Sequence, residues 1–176
     1  FGKDSPREYI SDEVIFSSKC DFELPNKEWK GDESGVSDVV SRSGTKAFNM
    51  TANMEYSLTF SEKIEDVFIN HENVLNASVW GYLEEADDDA TLVITLESED
   101  GEVYDWRGMN FSCFIDKAIS WTKVFHSWRF DYIRSGSDRI KVYVWNHKKD
   151  NIFIDDLKID VGAGNPLIFG KAEKTF

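Results

Sequence analysis

The segment DRIKVYVWN, residues 138–146, alternates with a period of two: Ile140, Val142 and Val144 fall on one side, Lys141, Tyr143 and Trp145 on the other. Side chains on a strand point to opposite faces in turn, so this pattern specifies a half-buried strand and conflicts with the 3.6-residue helical repeat. The same alternation runs through ATLVITLES (Leu92, Ile94, Leu96 against Thr91, Val93, Thr95) and NASVWGYLEE (Ala77, Val79, Gly81, Leu83 against Ser78, Trp80, Tyr82, Glu84). The connectors EADDDA, SEDGE, RSGSD and HKKDN carry turn residues.

Further strands are predicted at 13–18, 36–42, 46–51, 55–60, 102–107, 111–116 and 122–132, with a short helical turn within 61–73. Many short strands and no long helix predict an all-β sandwich. The 176 residues suffice for one domain with a real core. The expected division is an N-terminal arm (1–12), the sandwich (13–161) and a C-terminal tail (162–176). The chain starts at Phe1, which suggests a mature or excised form.

Charge excludes some partners. Twenty Lys and Arg against 33 Asp and Glu leave a net charge of -13, unsuited to nucleic acid or to anionic membrane surfaces. No apolar run approaches the ~18 residues that span a bilayer. Cys20 and Cys113 could form one long-range disulfide or remain two thiols; spacing alone does not choose.

The segment NIFIDDLKID, 151–160, also reads as a strand. Strict alternation puts Ile152, Ile154, Asp156 and Lys158 on one face and Phe153, Asp155, Leu157 and Ile159 on the other, more apolar one. A carboxylate there needs a cation, a metal or hydrogen-bond donors.

Seven stretches, taken in order, carry a resemblance: CDFELPNKEW (20–29), SRSGTKAF (41–48), EYSLTF (55–60), ASVWGYL (77–83), SWTKV (120–124), KVYVWN (141–146) and FIDDLKI (153–159). Together they resemble the jelly-roll carbohydrate-binding modules of the galactose-binding-like superfamily, over roughly residues 14–160, and most of all the small secreted or lipid-anchored modules of glycan-degrading bacteria. The resemblance implies a jelly roll of two antiparallel sheets and an extracellular, periplasmic or cell-surface location. It also implies one structural calcium, with Asp155 as closing ligand, Glu23 or Asp21 as the early carboxylate, and a backbone carbonyl from Lys46 or Ser43. Calcium takes six to eight hard oxygens, which such a set supplies. The alternative for Asp155 is that it accepts backbone N–H bonds or pairs with a lysine.

Two surfaces are candidates for a glycan. Trp80 and Tyr82 oppose one aliphatic face, Tyr143 and Trp145 another, and if the two strands were neighbours the four rings would form one platform, with Arg129 beside it. Sugar C–H faces stack on such rings, but aromatic cross-strand pairs also stabilise sheets without a ligand. The second surface is the loop edge, where Trp29 in KEWKG and Trp106 in YDWRG lie in or near turns. Trp128 is expected in the core. The run EEADDDA (84–90) reads as a solvated hairpin tip.

Nothing in the sequence indicates catalysis. His71, His126 and His147 lack metal-ligand spacing, and there is no Gly-x-Ser-x-Gly elbow or phosphate-cradling glycine loop. The residues therefore point to a non-catalytic glycan-binding module, with other protein domains as further partners; a cell-surface structural or protein-interaction sandwich without a glycan ligand is the alternative.

Overall fold

The computed structural model describes residues 13–68, 73–130 and 132–163. In chain order the strands are β1 (Val14–Cys20), β2 (Trp29–Lys30), β3 (Val36–Ser37), β4 (Ala47–Met50), β5 (Thr59–Lys63), β6 (Val74–Leu83), β7 (Thr91–Glu97), β8 (Val103–Asn110), β9 (Thr122–Arg129), β10 (Arg139–Trp145) and β11 (Ile152–Gly162). One helical turn, α1 (Ile64–Val67), follows β5. The arm 1–12, residues 69–72 with His71, and all but the first two residues of the tail lie outside the described residues.

The strands form two antiparallel sheets. One runs β3-β4-β11-β6-β9, with β1 also on β11; the other runs β2-β5-β10-β7-β8. The aliphatic faces read from the sequence close the space between them: Ile140, Val142 and Val144 of β10, Leu92, Ile94 and Leu96 of β7, and Ala77, Val79 and Leu83 of β6 are all buried. Phe48, Phe60, Phe111 and Trp128 complete this core. The fold is the all-β, two-sheet sandwich expected.

Several boundaries differ. The strand expected at 55–60 is β5, shifted to Thr59–Lys63, and 111–116 instead begins with a 3-10 turn at Phe111–Cys113. The two-residue β2 was not anticipated. It pairs Trp29 with Phe60 and carries the indole into the core, where its N–H donates to Ser18 Oγ at 2.9 Å. Both cysteines are free; Cys20 is buried and Cys113 exposed.

Strand β11 departs most from strict alternation. It faces Trp80 at Asp155 and Ser78 at Lys158, so two residues of β11, Asp156 and Leu157, stand against one of β6, Val79. The extra residue is a β-bulge, with Asp156 at φ 50°. The bulge shifts the phase by one residue. Ile152 and Ile154 before it and Leu157, Ile159 and Val161 after it therefore all face the core. Asp155 lies on the opposite, outer side of the sheet with Trp80.

Candidate functional site

The outer side at the bulge is roofed by the turn that carries SRSGTK. Asp155 has no exposed surface, and its carboxylate accepts three backbone N–H bonds: Arg42 and Ser43 to Oδ2 at 2.9 and 3.0 Å, and Asp156 to Oδ1 at 2.7 Å. Burial pushes this carboxyl above its ordinary range, and those three N–H groups pull against the shift. Glu23 holds the far side of the same turn: Oε1 accepts from Thr45 N and Lys46 N, each at 2.7 Å, and Oε2 from the Thr45 hydroxyl at 2.9 Å. Gly44, at φ 61°, lets Glu23 come close, since a Cβ there would overlap the carboxylate. Asp156 binds Lys19, Arg42 and Ser43. Burial works to raise its pKa, but these bonds outweigh it and hold the group low.

These residues do not fit the calcium expected of Asp155, Glu23, Asp21, Lys46 and Ser43. Calcium requires oxygens turned toward it. Here the Ser43 and Lys46 backbone turns N–H groups toward Asp155 and Glu23, and both oxygens of each carboxylate are engaged. Asp21 Oδ1 accepts from Glu23 N at 3.3 Å, while Oδ2 lies 3.9 Å from Lys19 Nζ. The alternative stated for Asp155, backbone N–H bonds, describes this arrangement.

The aromatic residues separate between the two sheets. Trp80 and Tyr82 lie on β6 in the six-stranded sheet and Tyr143 and Trp145 on β10 in the five-stranded one, so the four cannot form one platform. Alternation gives each strand its faces but not its neighbours. Trp80 is covered by the Arg42 guanidinium, 4.0 Å from the ring centroid. Tyr82 packs on Trp121 and Phe153 at 5.4 and 6.0 Å. Arg129 sits on β9, also in the six-stranded sheet. Trp29, 1% exposed, cannot meet a sugar.

The outer face of the five-stranded sheet brings the other three together. Register places Tyr143 beside Val93 and Val93 beside Gly108, with Lys141, Thr95 and Trp106 in the adjacent row and Trp145, Thr91 and Asn110 in the row beyond. From its row Trp106 folds across Gly108, where a Cβ would lie 2.4 Å from its Cη2. Burial is the main reason that the Tyr143 phenol titrates above its ordinary range. Trp106 still keeps 48% of its surface exposed, and Tyr56, edge-on to Tyr143 at 5.7 Å, keeps 49%. Val93, between Tyr143 and Gly108 in this row, is fully buried. Glu55 steadies the platform by accepting from Tyr56 Oη at 3.0 Å and Trp145 Nε1 at 3.2 Å.

Beside the rings lies a depression of about 380 Å³ lined by Tyr56, Thr59, Glu97, Lys141 and Tyr143. Lys141 Nζ and Glu97 Oε2 are 2.5 Å apart at its polar end. A smaller cavity, about 140 Å³, opens at the sandwich end near Phe22, Leu58 and Lys46. It offers no free ring face, since Phe22 is buried against Phe48 at 5.3 Å. Among these residues Tyr56, Thr59, Glu97, Lys141 and Gly108 were not anticipated. Lys141 and Glu97 were readable as outward positions of their strands, but their meeting depends on the β7–β10 register.

The two-sheet order is shared with known structures. The CBM22-1 xylan-binding domain of Paenibacillus barcinonensis Xyn10C superposes with a TM-score of 0.55 at 16% identity, over 90% of this chain and all (100%) of that one. The chain shares the two-sheet jelly-roll fold of that domain. The C-terminal family 22 carbohydrate-binding module of Clostridium thermocellum Xyn10B gives a TM-score of 0.54 at 13% identity, covering 90% of this chain and 99% of that one. The CBM22-1 and GH10 modules of Clostridium thermocellum Xyn10B, solved with xylohexaose, give 0.57 at 12% identity over 85% of this chain and 29% of the longer one. No protein-family profile and no curated protein sequence matches the chain.

Proposed function

We propose that this protein is a carbohydrate-binding module whose glycan lies on the outer face of the five-stranded sheet, across Trp106, Tyr143 and Tyr56. The observation that carries this reading is the Trp106 indole, seated over Gly108 and half exposed on the same face as Tyr143 and a depression with a polar end. A ring seated over a glycine and half open to solvent offers sugar C–H groups a surface to stack on. Thr59, Glu97 and Lys141 supply donors and acceptors for hydroxyls, the few fixed polar groups that orient a ligand in an otherwise apolar site. Xylan binding by the domain similar in fold supports this choice of ligand class.

The module is read as non-catalytic. Glycoside hydrolysis needs two carboxyl groups facing each other across the bond at roughly 5 to 9.5 Å. The residues lining the depression include one carboxylate, Glu97, and it is committed to Lys141. A protein with this ligand works where polysaccharides are, outside the cytoplasm.

Affinity electrophoresis in gels containing xylan and other plant and algal polysaccharides tests the reading. Retardation by at least one polymer, lost in Trp106→Ala and kept in Trp80→Ala, is the expected result. Retardation lost in Trp80→Ala but kept in Trp106→Ala would move the site to the other sheet. No retardation by any polymer would favour the protein-interaction alternative.

A further inference from the structure

On the outer face of the five-stranded sheet, β10 runs from aromatic to cationic. Trp145 and Tyr143 carry the rings, Lys141 follows, and Arg139 comes last. At about 3.4 Å per residue, Arg139 stands roughly 14 Å along the strand from Tyr143. Its neighbour on β5 is Lys63, directly opposite in the register. Like charges facing each other across a strand pair are destabilising. The neighbour on the other side, Glu97, is also directly opposite Arg139 and could neutralise it. Glu97 instead reaches diagonally to Lys141. Arg139 is left with the oxygens of Ser61, at 3.4 and 3.5 Å, and Lys63 with the exposed Glu65 at 3.6 Å.

Two acidic residues of the adjoining hairpin are engaged elsewhere: Glu102 pairs with Arg134 at 2.9 Å, and Asp100 accepts from Ser98 Oγ. A chain with net charge -13 has carboxylates to spare. Yet it keeps two cations side by side on the face that carries the platform, with a guanidinium fork making only long contacts. Such a fork matches planar or tetrahedral oxyanions, which form charge-assisted bonds with it.

We propose that Arg139 and Lys63 form a subsite for an anionic substituent, a carboxylate or a sulfate ester, carried by a glycan whose backbone lies on Trp106 and Tyr143. The inference rests on the groove reading above and narrows its ligand class to sparsely charged polysaccharides. A densely anionic polymer would be repelled by the remainder of the surface. The ligand is a neutral backbone with occasional acidic branches, and Lys141 lies between the rings and the cations along the path of such a branch.

The test uses the full chain in affinity gels with matched polymers: glucuronoxylan and acidic arabinogalactan, each native and with its carboxyl groups reduced to alcohols, and a sparsely sulfated xylan. Salt is held constant. Native polymer is expected to bind at least tenfold more tightly than its reduced partner. Arg139→Gln and Lys63→Gln should each reduce that ratio toward one, whereas Lys117→Gln, the same charge change at an exposed distant site, should leave it unchanged. Tighter binding of the sulfated xylan than of native glucuronoxylan would identify sulfate, and the reverse carboxylate, as the subsite's anion. Equal retardation by native and reduced polymers would overturn the subsite and leave the groove reading intact. A preference that survives both substitutions would also overturn the subsite. Retardation by no polymer would overturn both.

Discussion

Trp106 lies over Gly108 so closely that a β-carbon on residue 108 would come within 2.4 Å of ring atom Cη2 and 2.8 Å of Thr91 Cγ2. The glycine is the seat of the platform. Gly108→Ala is expected to lift the indole and weaken glycan binding severalfold, with a shift in tryptophan emission. Trp106→Ala should cost about 2 kcal/mol of binding, the size of an interface hot spot, or roughly 30-fold in Kd by titration calorimetry. Its melting temperature should change little, because half of the ring is already in solvent.

Trp29 gives the opposite result. Its indole is in the core, so Trp29→Ala should cost about 3 to 5 kcal/mol of stability in chemical denaturation. Whatever fraction remains folded should bind glycan with unaltered affinity.

Asp155→Ala leaves three backbone N–H groups without their acceptor. At about 1 to 3 kcal/mol for each group left buried and unpaired, a loss of several kcal/mol is expected, close to the limit of what a domain of this size tolerates. The same bonds imply that neither chelator nor added calcium shifts the melting temperature of the native protein. A rise with calcium, which mass action requires of any cation bound only by the folded state, would contradict the arrangement at Asp155.

The turn also sets the response to acid. Asp156 and Glu23 titrate below their ordinary values, so their contribution is complete above the unfolded carboxyl range and is lost as pH falls through the lower folded values. Asp155 titrates above its ordinary value, so it works the other way and loses stability as pH rises through that window. Melting temperature measured from about pH 6 down to about pH 2.5 should therefore fall below about pH 4. Asp156→Asn should flatten that fall, and Asp155→Asn should steepen it.

Thiol titration distinguishes the cysteines. Burial pushes the Cys20 thiol up to about 11, and Cys113 is exposed. A thiolate-selective reagent at about pH 8 should modify Cys113 quickly and Cys20 only after unfolding, because only the thiolate reacts.

The alternating strands were legible because one face of each meets a core, which forces period two on β6, β7 and β10. The bulge in β11 was not. A single inserted residue leaves composition unchanged and reverses every later side chain, and only the partner strand reveals it. Trp29 was hidden for a similar reason: KEWKG has the polarity of a loop, and two residues are too few to show a period. Tyr143, Trp145 and Trp106 were recognisable as outward or turn aromatics, but their meeting, and the separation of Trp80 and Tyr82 from them, depends on long-range pairing that no local pattern encodes.

Strand β1 begins where β11 ends: Val14 faces Gly162, and Ala163 N donates to Glu13 O at 2.9 Å. A load applied to the two ends of this domain would meet the β1–β11 ladder at its mouth and open it one bond after another, like a zipper, instead of shearing all its bonds together. Tethered at both ends between stiff neighbours, the domain would be a mechanical fuse; hung from one flexible linker, it would feel no such load and could turn its aromatic face freely toward a surface.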